Sequence, residues 1–340
     1  MTVASKNLQI LLARRPDGVL RESDFALAEA AVPVPGPGQF LVRNRYFSLD
    51  AGFRKWMNEG ADDAYLSAMP LAAPVQSIVL GEVVTSQHPD FPAGRTVLVR
   101  AAWEQYSLLD GSDFAQCLDH DGSFPLHEFV AALGPTGMTA YFGLIDVGRP
   151  RAGDTVLVSA AGGAVGSVVG QIARRLGCRT VGITSSEEKC RWLKEALGYD
   201  EAINHRAPEG LAAQMARALP DGFDVYFDNV GGTMLDQALQ HMKQGARVVL
   251  CGAIADYDHN DREAGVFHMW QFIVKRASAA GFMFSDYIDR YPEAVERLSA
   301  WLRDDGLKSV VDVRKGIEQT PKAFCDMLEG RSRGKCIVEL

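Results

Sequence analysis

Hydrophobic and polar residues follow two different rhythms along the chain. From residue 7 to about residue 110, short apolar stretches alternate with polar positions and are interrupted by Gly and Pro, as in FLVRNRYFSLD and SIVLGEVVTS. Alternation with a period of two, bounded by turn residues, is typical of half-buried strands in an antiparallel sheet. This part of the chain is therefore predicted to form a mostly β domain.

From about residue 130 the pattern changes to a buried strand, a glycine turn and an amphipathic helix, repeated several times. TVLVSAA precedes GGAVGSVVGQIARRLG, and RTVGI precedes SSEEKCRWLKEALG. Buried β-branched strands that alternate with helices predict an α/β fold with a doubly wound parallel sheet covered on both faces. The last strand-like segments, VDVRKG and KCIVEL, resemble the first part of the chain. We therefore expect the chain to return to the N-terminal domain.

Composition narrows the class of protein. The 340 residues are 47% hydrophobic and 23% charged, which excludes a disordered chain and is long enough for two domains. The net charge is −8, and no run of Lys or Arg is long enough to follow a phosphate backbone, so nucleic acid is not expected as a partner.

The N-terminus and the cysteines bear on the compartment. The N-terminal segment MTVASKNLQILLARRPDG has too short an apolar stretch for a signal peptide or a membrane anchor. Six cysteines are isolated from one another, which favours reduced thiols over a disulfide framework. We therefore expect a cytoplasmic protein that does not bind membranes.

One glycine turn carries a nucleotide-binding pattern. Residues Ala161 to Gly166 read AGGAVG, an AxGxxG turn between a predicted strand and a predicted helix. Gly163 would let the backbone approach a pyrophosphate, and Gly166 would let helix and strand pack closely, with the helix N-terminus facing the anion. Because further strand-helix units follow, the context predicts a dinucleotide site.

The end of the next strand bears on which dinucleotide binds. It reads Thr184-Ser185-Ser186, where an NAD-preferring fold ordinarily places Asp or Glu against the ribose 2′-hydroxyl. Lys189 and Arg191 follow, and a cation with hydroxyl donors suits a 2′-phosphate, so the sequence favours NADP(H). A second interpretation is that Ser185-x-x-Glu188 is a capping box and Lys189 is solvated. Both can hold together.

Several motifs together resemble a known family. They are GPTGMTAYFGL, AGDTVLVSAAGGAVGSVVGQIARRLGCRTVGI, GYDEAINHR, FDVYFDNVGG and CGAIADY, with RNRYFSLDAGFRKWM before them and GRSRGKCIVEL after them. In this order they resemble the zinc-independent branch of the medium-chain dehydrogenase/reductases, in the group of prostaglandin reductases, alkenal double-bond reductases and bacterial curcumin reductases. The similarity extends over nearly the whole chain.

The resemblance implies an architecture and an activity. It implies a GroES-like catalytic domain from residues 1–128 and 309–340, a central Rossmann NADP-binding domain from 129–308, and a homodimer. It also implies NADPH-dependent hydride transfer to the β-carbon of an α,β-unsaturated ketone or aldehyde, a small conjugated carbonyl substrate.

The resemblance also implies cofactor-binding residues. Met138 and Thr139 would line the nicotinamide end, and Lys189 with Ser185 would take the 2′-phosphate. The pyrophosphate would be bound by Gly163, Ala164 and Val165. The rest of the dinucleotide would run along Asn229, Cys251, Gly252, Phe282, Met283 and Phe284.

The chain departs from the family pattern at three places. Asn204-His205-Arg206 stands where Asn-Tyr-Lys is common, so phosphate contact would pass to His205 or Arg206. Ser332 replaces a cofactor-contacting asparagine near the C-terminus, and Gly52 replaces a bulky tyrosine that often walls the substrate pocket.

The chemistry is expected to need no zinc. A catalytic zinc site requires ligands such as Cys, His and Cys around an open position, and no such set is apparent. Without a metal, the enolate formed by hydride addition needs a hydrogen-bond donor and a proton, and a phenol can supply both. Tyr257 matches the family's active-site tyrosine, and Tyr46 is the second candidate. The cofactor's ribose hydroxyl is a third possible donor.

Two other functions stay open from the sequence. A quinone reductase of the same superfamily would use the same NADPH site, and a non-catalytic NADPH-binding protein would keep the nucleotide domain without the chemistry. Nothing in the sequence fixes the natural substrate.

Overall fold

Strands dominate the N-terminal part of the chain, as the alternating pattern predicts. The structure is a computed structural model that describes residues 6–258 and 265–340. The expectation for the N-terminal segment therefore falls partly on residues 1–5, outside the described residues. The strands are β1 (Lys6–Leu12), β2 (Phe25–Ala31), β3 (Phe40–Ser48), β4 (Gln76–Ser86), β5 (Thr96–Ala102), β6 (Tyr106–Leu109) and β7 (Ala115–Cys117).

Strands and helices alternate in the middle of the chain, which confirms the second predicted pattern. The elements are α1 (Pro135–Phe142), β8 (Thr155–Val158), α2 (Ala164–Arg175), β9 (Arg179–Thr184), α3 (Glu187–Leu197), β10 (Glu201–Asn204), α4 (Leu211–Ala218), β11 (Phe223–Asp228), α5 (Gly232–Leu239), β12 (Met242–Leu250), α6 (Trp270–Lys275), β13 (Ser278–Gly281) and α7 (Tyr291–Arg303). The C-terminal part follows with β14 (Val311–Lys315), α8 (Thr320–Leu328) and β15 (Lys335–Glu339).

The middle strands form one parallel sheet in the order β10-β9-β8-β11-β12-β13. The chain moves outward from β8 to β10 and then continues on the other side of β8 from β11 to β13. In such sheets ligands bind at the carboxyl ends of the strands where the direction reverses. Here that switch point lies between β8 and β11.

The outer parts of the chain form a mostly antiparallel sheet in the order β14-β15-β3-β4-β5-β7, with β6 also paired to β3. β1 and β2 form a separate antiparallel pair. β15 pairs with β3, so the C-terminal strand lies in the same sheet as the N-terminal strands. The buried Lys335 also links β15 to the N-terminal part of the chain, because its Nζ donates to the Leu49 carbonyl at 2.9 Å and to Asp50 Oδ1 at 2.5 Å.

The chain divides into two units. One contains the chain up to Ala131 together with Val311–Leu340, and the other is Ala132–Val310. Within the described ranges, no helix combines the length and the apolar character needed to cross a membrane.

Candidate cofactor and active site

The glycine turn after β8 has the geometry that a phosphate group requires. α2 begins at Ala164, Gly163 is its N-cap, and no side chain among the described residues caps it. The first amide N–H groups of a helix have no hydrogen-bond partner within the helix, and they are oriented so that they can bind an anion. A Cβ on Gly166 would lie 2.4 Å from the Ala160 carbonyl oxygen, so glycine is required there. The turn therefore fits a dinucleotide pyrophosphate.

Ala160, two residues beyond the end of β8, adopts a left-handed backbone conformation with φ of 47°. This conformation disfavours residues with a Cβ, and such strain persists only where the surrounding structure holds it. The Ala160 carbonyl accepts the Gly163 N–H at 2.9 Å, which closes the turn.

Gly162 brings the turn against the end of β9 and the first turns of α3. A Cβ on Gly162 would lie 3.1 Å from Thr184 Oγ1, 3.5 Å from Lys189 Cδ and 3.6 Å from Trp192 Cζ3. A hydroxyl, an ammonium-bearing chain and an indole thus meet at one glycine. Trp192 is a residue that the sequence reasoning did not select, although its spacing of three from Lys189 indicates the same helix face.

The N-terminus of α3 corrects one detail of the sequence interpretation. The cap is Ser186, whose Oγ accepts the Lys189 N–H at 3.2 Å, and not Ser185. Lys189 is 8% exposed, so its chain is not simply solvated. Ser185 lies between the end of β9 and this cap. Because Ser186 performs the capping, Ser185 is not needed for that role.

The Asn204-His205-Arg206 segment is fixed beside the end of β9. The His205 N–H donates to the Thr184 carbonyl at 2.9 Å, and Asn204 Nδ2 donates to Glu187 Oε1 at 2.9 Å. The Arg206 N–H donates to Asn204 Oδ1 at 3.1 Å. Burial, with a smaller contribution from Arg206, lowers the pKa of His205. The imidazole is therefore neutral near pH 7.

A buried carboxylate organises the switch point between β8 and β11. Asp228 Oδ1 accepts hydrogen bonds from Ser159 Oγ at 2.9 Å and from the Tyr226 hydroxyl at 2.8 Å. It also accepts the N–H groups of Val230 at 3.0 Å and Gly231 at 3.1 Å. Asp228 is fully buried, and the sequence reasoning missed it although it lies in the motif FDVYFDNVGG.

Three predicted site residues meet at the carboxyl ends of β11 and β12. A Cβ on Gly252 would lie 3.0 Å from the Asn229 carbonyl oxygen and 3.5 Å from the Tyr257 hydroxyl. The Tyr257 hydroxyl accepts the Ala253 N–H at 3.2 Å. Asn229 Nδ2 donates to the Ser159 carbonyl at 2.7 Å, which ties this group to the switch point.

Burial keeps the proton on the side chains of Tyr257 and Cys251. It raises the pKa of Tyr257 above its ordinary value of 10, so the phenol is neutral at physiological pH. Burial also raises the pKa of the neighbouring Cys251 thiol to about 12. A neutral phenol can donate a hydrogen bond as well as accept one, whereas a thiol with this pKa is a poor nucleophile. Among these groups, Tyr257 is therefore the suitable hydrogen-bond donor.

The predicted nicotinamide-end residues lie on α1 and after β13. Met138 is buried, and Thr139 is partly exposed with its Oγ1 donating to the Pro135 carbonyl at 2.7 Å. The ring of Phe282 lies so close to Gly143 that a Cβ there would overlap it. Met283 and Phe284 follow at the start of a 3₁₀ segment.

Two predicted residues lie in the other unit. The Tyr46 hydroxyl on β3 donates to Glu339 Oε1 at 3.4 Å, and burial raises its pKa. Ser332 is buried between α8 and β15. The structure thus brings Asn229, Gly252 and Tyr257 together, while Tyr46 and Ser332 belong to a separate unit.

No cluster of three His, Cys, Asp or Glu residues that could hold a metal ion occurs in residues 6–258 and 265–340. All six cysteines are within these ranges, and each is unpaired.

Two family models match parts of the chain. The family described as the N-terminal domain of oxidoreductase matches residues 8–117, and the family described as zinc-binding dehydrogenase matches residues 164–300.

Two relatives with assigned activities match nearly the whole chain. The NADPH-dependent curcumin reductase of Escherichia coli is 34% identical, with 98% of this chain and 97% of that protein covered. The 2-alkenal reductase (NADP(+)-dependent) of Nicotiana tabacum is 36% identical, with the same coverage. The crystal structure of CurA from Vibrio vulnificus in complex with NADPH is 36% identical, covers 98% of both chains and superimposes with a TM-score of 0.90.

Proposed function

The chain belongs to the zinc-independent medium-chain dehydrogenase/reductases, in the group of curcumin, 2-alkenal and prostaglandin reductases, and on this basis we propose that it reduces conjugated carbonyl compounds. The proposed reaction is NADPH-dependent reduction of the C=C bond of α,β-unsaturated ketones or aldehydes. The observation that carries the proposal is the neutral phenol of Tyr257, held by the Ala253 N–H beside Asn229 and Gly252 at the carboxyl ends of β11 and β12.

The cofactor would be held by the first unit of the parallel sheet. Gly163, Ala164 and Val165 at the N-terminus of α2 would bind the pyrophosphate through their amides. Lys189 and Ser185 would bind the 2′-phosphate, with His205 beside them at the end of β10.

The nicotinamide half would lie farther along the strand ends. Met138 and Thr139 are proposed to line the nicotinamide end, and Ser332 is proposed as a further cofactor contact. The rest of the dinucleotide is proposed to run along Asn229, Cys251, Gly252, Phe282, Met283 and Phe284.

The residues around Tyr257 suit the charge that develops in this reaction. When bound, NADPH would supply the hydride for the β-carbon of the substrate, and negative charge would then develop on the carbonyl oxygen as the C=C electron pair shifts toward it. The Tyr257 hydroxyl would donate a hydrogen bond to that oxygen. Its raised pKa keeps the proton on the phenol before the reaction begins. The α-carbon then takes a proton, for which Tyr257, Tyr46 and a ribose hydroxyl are the candidate donors.

Tyr257→Phe tests the proposal. Loss of one pre-organised donor typically lowers turnover about 10²- to 10³-fold, and less where water can substitute. We expect enone reduction to fall about ten- to a thousandfold while NADPH affinity changes less than about threefold, because the ring is retained. Tyr291→Phe, which removes a phenol hydroxyl that donates to the Leu133 carbonyl at 2.7 Å in the same unit, is the matched control. Wild-type rates of enone reduction by Tyr257→Phe would assign Tyr257 to packing and turn attention to Tyr46→Phe.

A substrate panel separates the proposed reaction from its alternatives. NADPH oxidation is followed with an enone, an enal, a quinone and no acceptor. Turnover of the quinone alone would identify a quinone reductase, and NADPH binding without turnover of any acceptor would identify a non-catalytic binding protein.

A homodimer forms part of the proposal, and the edge of the parallel sheet supports it. β13 is the last strand of the sheet, and all four of its residues are exposed. Large apolar side chains near this edge are also exposed, namely Phe267, Met269, Trp270, Ile273 and Val274. An open strand edge with apolar neighbours is prone to pair with another strand. A second copy could add its own β13 about a two-fold axis and cover both.

Sedimentation measures the oligomeric state directly. Trp270, which is 66% exposed, is replaced by Glu, and Leu27→Glu in the other unit, 57% exposed, is the matched control. We expect the wild type and Leu27→Glu to sediment as dimers and Trp270→Glu as a monomer. A monomeric wild type would refute this part of the proposal.

The unpaired cysteines suit a reducing compartment, so we also propose a cytoplasmic location. Fractionation of source cells with antibody detection tests it, and recovery in an extracytoplasmic fraction would contradict it.

A further inference from the structure

Trp192 stands beside the glycine turn of the parallel-sheet unit, next to Lys189. It lies three residues after Lys189 on α3, so both side chains share one helix face. Its Cζ3 atom would lie 3.6 Å from a Cβ on Gly162, and Lys189 Cδ would lie 3.5 Å from the same point. Both side chains therefore cover the same glycine from the α3 side.

The chemistry of this pair differs from that of a phosphate site alone. Lys189 carries a cation that suits a phosphate group, whereas an indole offers a flat apolar face to a base or a sugar ring. Trp192 is partly exposed, so part of its surface is accessible from outside the protein. Of the three heavy atoms nearest to a Cβ on Gly162, the one from the indole is aromatic.

The covalent structure of a dinucleotide connects these two chemistries. The adenosine half is joined to the pyrophosphate, which the amides at the N-terminus of α2 would hold directly after Gly162. An adenosine that extends from there toward Lys189 must also come close to Trp192, because both side chains cover Gly162. No comparable aromatic surface is needed to bind phosphate.

We propose that Trp192 is a further cofactor-binding residue that packs its indole against the adenine-ribose half of NADPH. This inference rests on the proposed NADPH dependence and on the placement of the pyrophosphate at Gly163. Trp192 would then determine affinity for the adenosine half, and Lys189 would determine the preference for the 2′-phosphate. The two contributions are separable because only one of them depends on the phosphate.

The test measures binding and needs no turnover. Wild type, Trp192→Leu, Trp192→Phe and Lys189→Ala are titrated calorimetrically with NADPH, NADH and 2′,5′-ADP. Base-aromatic stacking makes a substantial contribution to nucleotide affinity, so Trp192→Leu is expected to weaken all three ligands by about five- to thirtyfold. Trp192→Phe keeps an aromatic face and should recover most of that loss. Lys189→Ala should weaken NADPH and 2′,5′-ADP but leave NADH nearly unchanged.

Two controls keep the outcome interpretable. Thermal unfolding confirms that each variant is folded, and Trp192→Phe serves in the comparison with the wild type if Trp192→Leu does not fold. Trp301→Phe, on α7 of the same unit, is the second control and should bind all three ligands as tightly as the wild type.

The inference is overturned if Trp192→Leu binds 2′,5′-ADP within twofold of the wild type, or if it loses NADPH affinity while NADH affinity is retained. With Trp192→Phe alone, loss of 2′,5′-ADP affinity as large as that of Lys189→Ala would contradict it. A wild type that binds 2′,5′-ADP tightly but reduces no enone would refute the proposed function and leave this inference standing.

Discussion

Replacing Asp228 with Asn is expected to destabilise the parallel-sheet unit strongly although it changes few atoms. The carboxylate receives hydrogen bonds from Ser159, Tyr226, Val230 and Gly231, all at 2.8–3.1 Å, and it is fully buried. In Asp228→Asn one oxygen remains an acceptor. The amide nitrogen takes the place of Oδ2, which lies 3.1 Å from the Gly231 nitrogen, so a donor faces a donor.

The size of the effect follows from these contacts. A hydrogen bond to a charged group contributes about 1.5–3 kcal/mol and a neutral one about 0.5–1.5 kcal/mol. Converting the two hydroxyl contacts to neutral ones therefore costs about 2 kcal/mol. The buried amide nitrogen, which faces the Gly231 N–H where Oδ2 accepted from it, adds about 1–2 kcal/mol. We expect the free energy of unfolding to fall by about 3–4 kcal/mol.

Urea unfolding, followed by tryptophan fluorescence, measures this change. Tyr226→Phe is the matched control, because it removes one hydrogen bond to the same charged carboxylate and should cost about 1.5–3 kcal/mol, less than Asp228→Asn. Asp228→Asn should also weaken NADPH binding, since the carboxylate fixes the turn that carries Asn229. If Asp228→Asn is no less stable than Tyr226→Phe, the carboxylate does not organise the switch point and the reasoning fails.

Three further predictions concern the cofactor, pH and metal. Lys189→Ala should raise the KM for NADPH about ten- to a hundredfold in steady-state kinetics and leave the KM for NADH nearly unchanged. An equal increase in both KM values would mean that Lys189 does not contact the 2′-phosphate. Burial lowers the pKa of His205 and His241 in the folded protein, so the unfolded chain binds more protons below its histidine pKa of about 6.5. Tm should therefore fall as the pH drops from about 7 to 5, and it should fall less in the double variant His205→Gln/His241→Gln. The same pH dependence of Tm in the double variant and the wild type would contradict this reasoning. Exhaustive chelation should leave enone reduction intact with substoichiometric zinc by elemental analysis, whereas loss of activity that zinc restores would contradict a metal-independent mechanism.

The sequence determined the fold class because its signals are local and repeated. Period-two alternation predicted the antiparallel strands, and repeated strand-glycine-helix units predicted the parallel sheet; β8, α2, β9 and α3 occur where those patterns lie. Gly166 was also readable, since a glycine at the end of an AxGxxG turn serves close packing, and a Cβ there would meet the Ala160 carbonyl. The family followed from motifs in a fixed order, and the similarity to relatives over 98% of the chain confirms it.

Tertiary structure decided which side chains meet, because strand order and packing are not local properties. Asp228 gathers Ser159, which lies 69 residues earlier, and this is possible only because β8 and β11 are neighbours in the sheet. The N-cap of α3 is Ser186 and not the predicted Ser185, because the backbone at the end of β9 fixes which serine precedes the helix. Trp192 lies beside Gly162 because α3 packs against the glycine turn. The two residues are distant in sequence, so their contact depends on how helix and sheet pack.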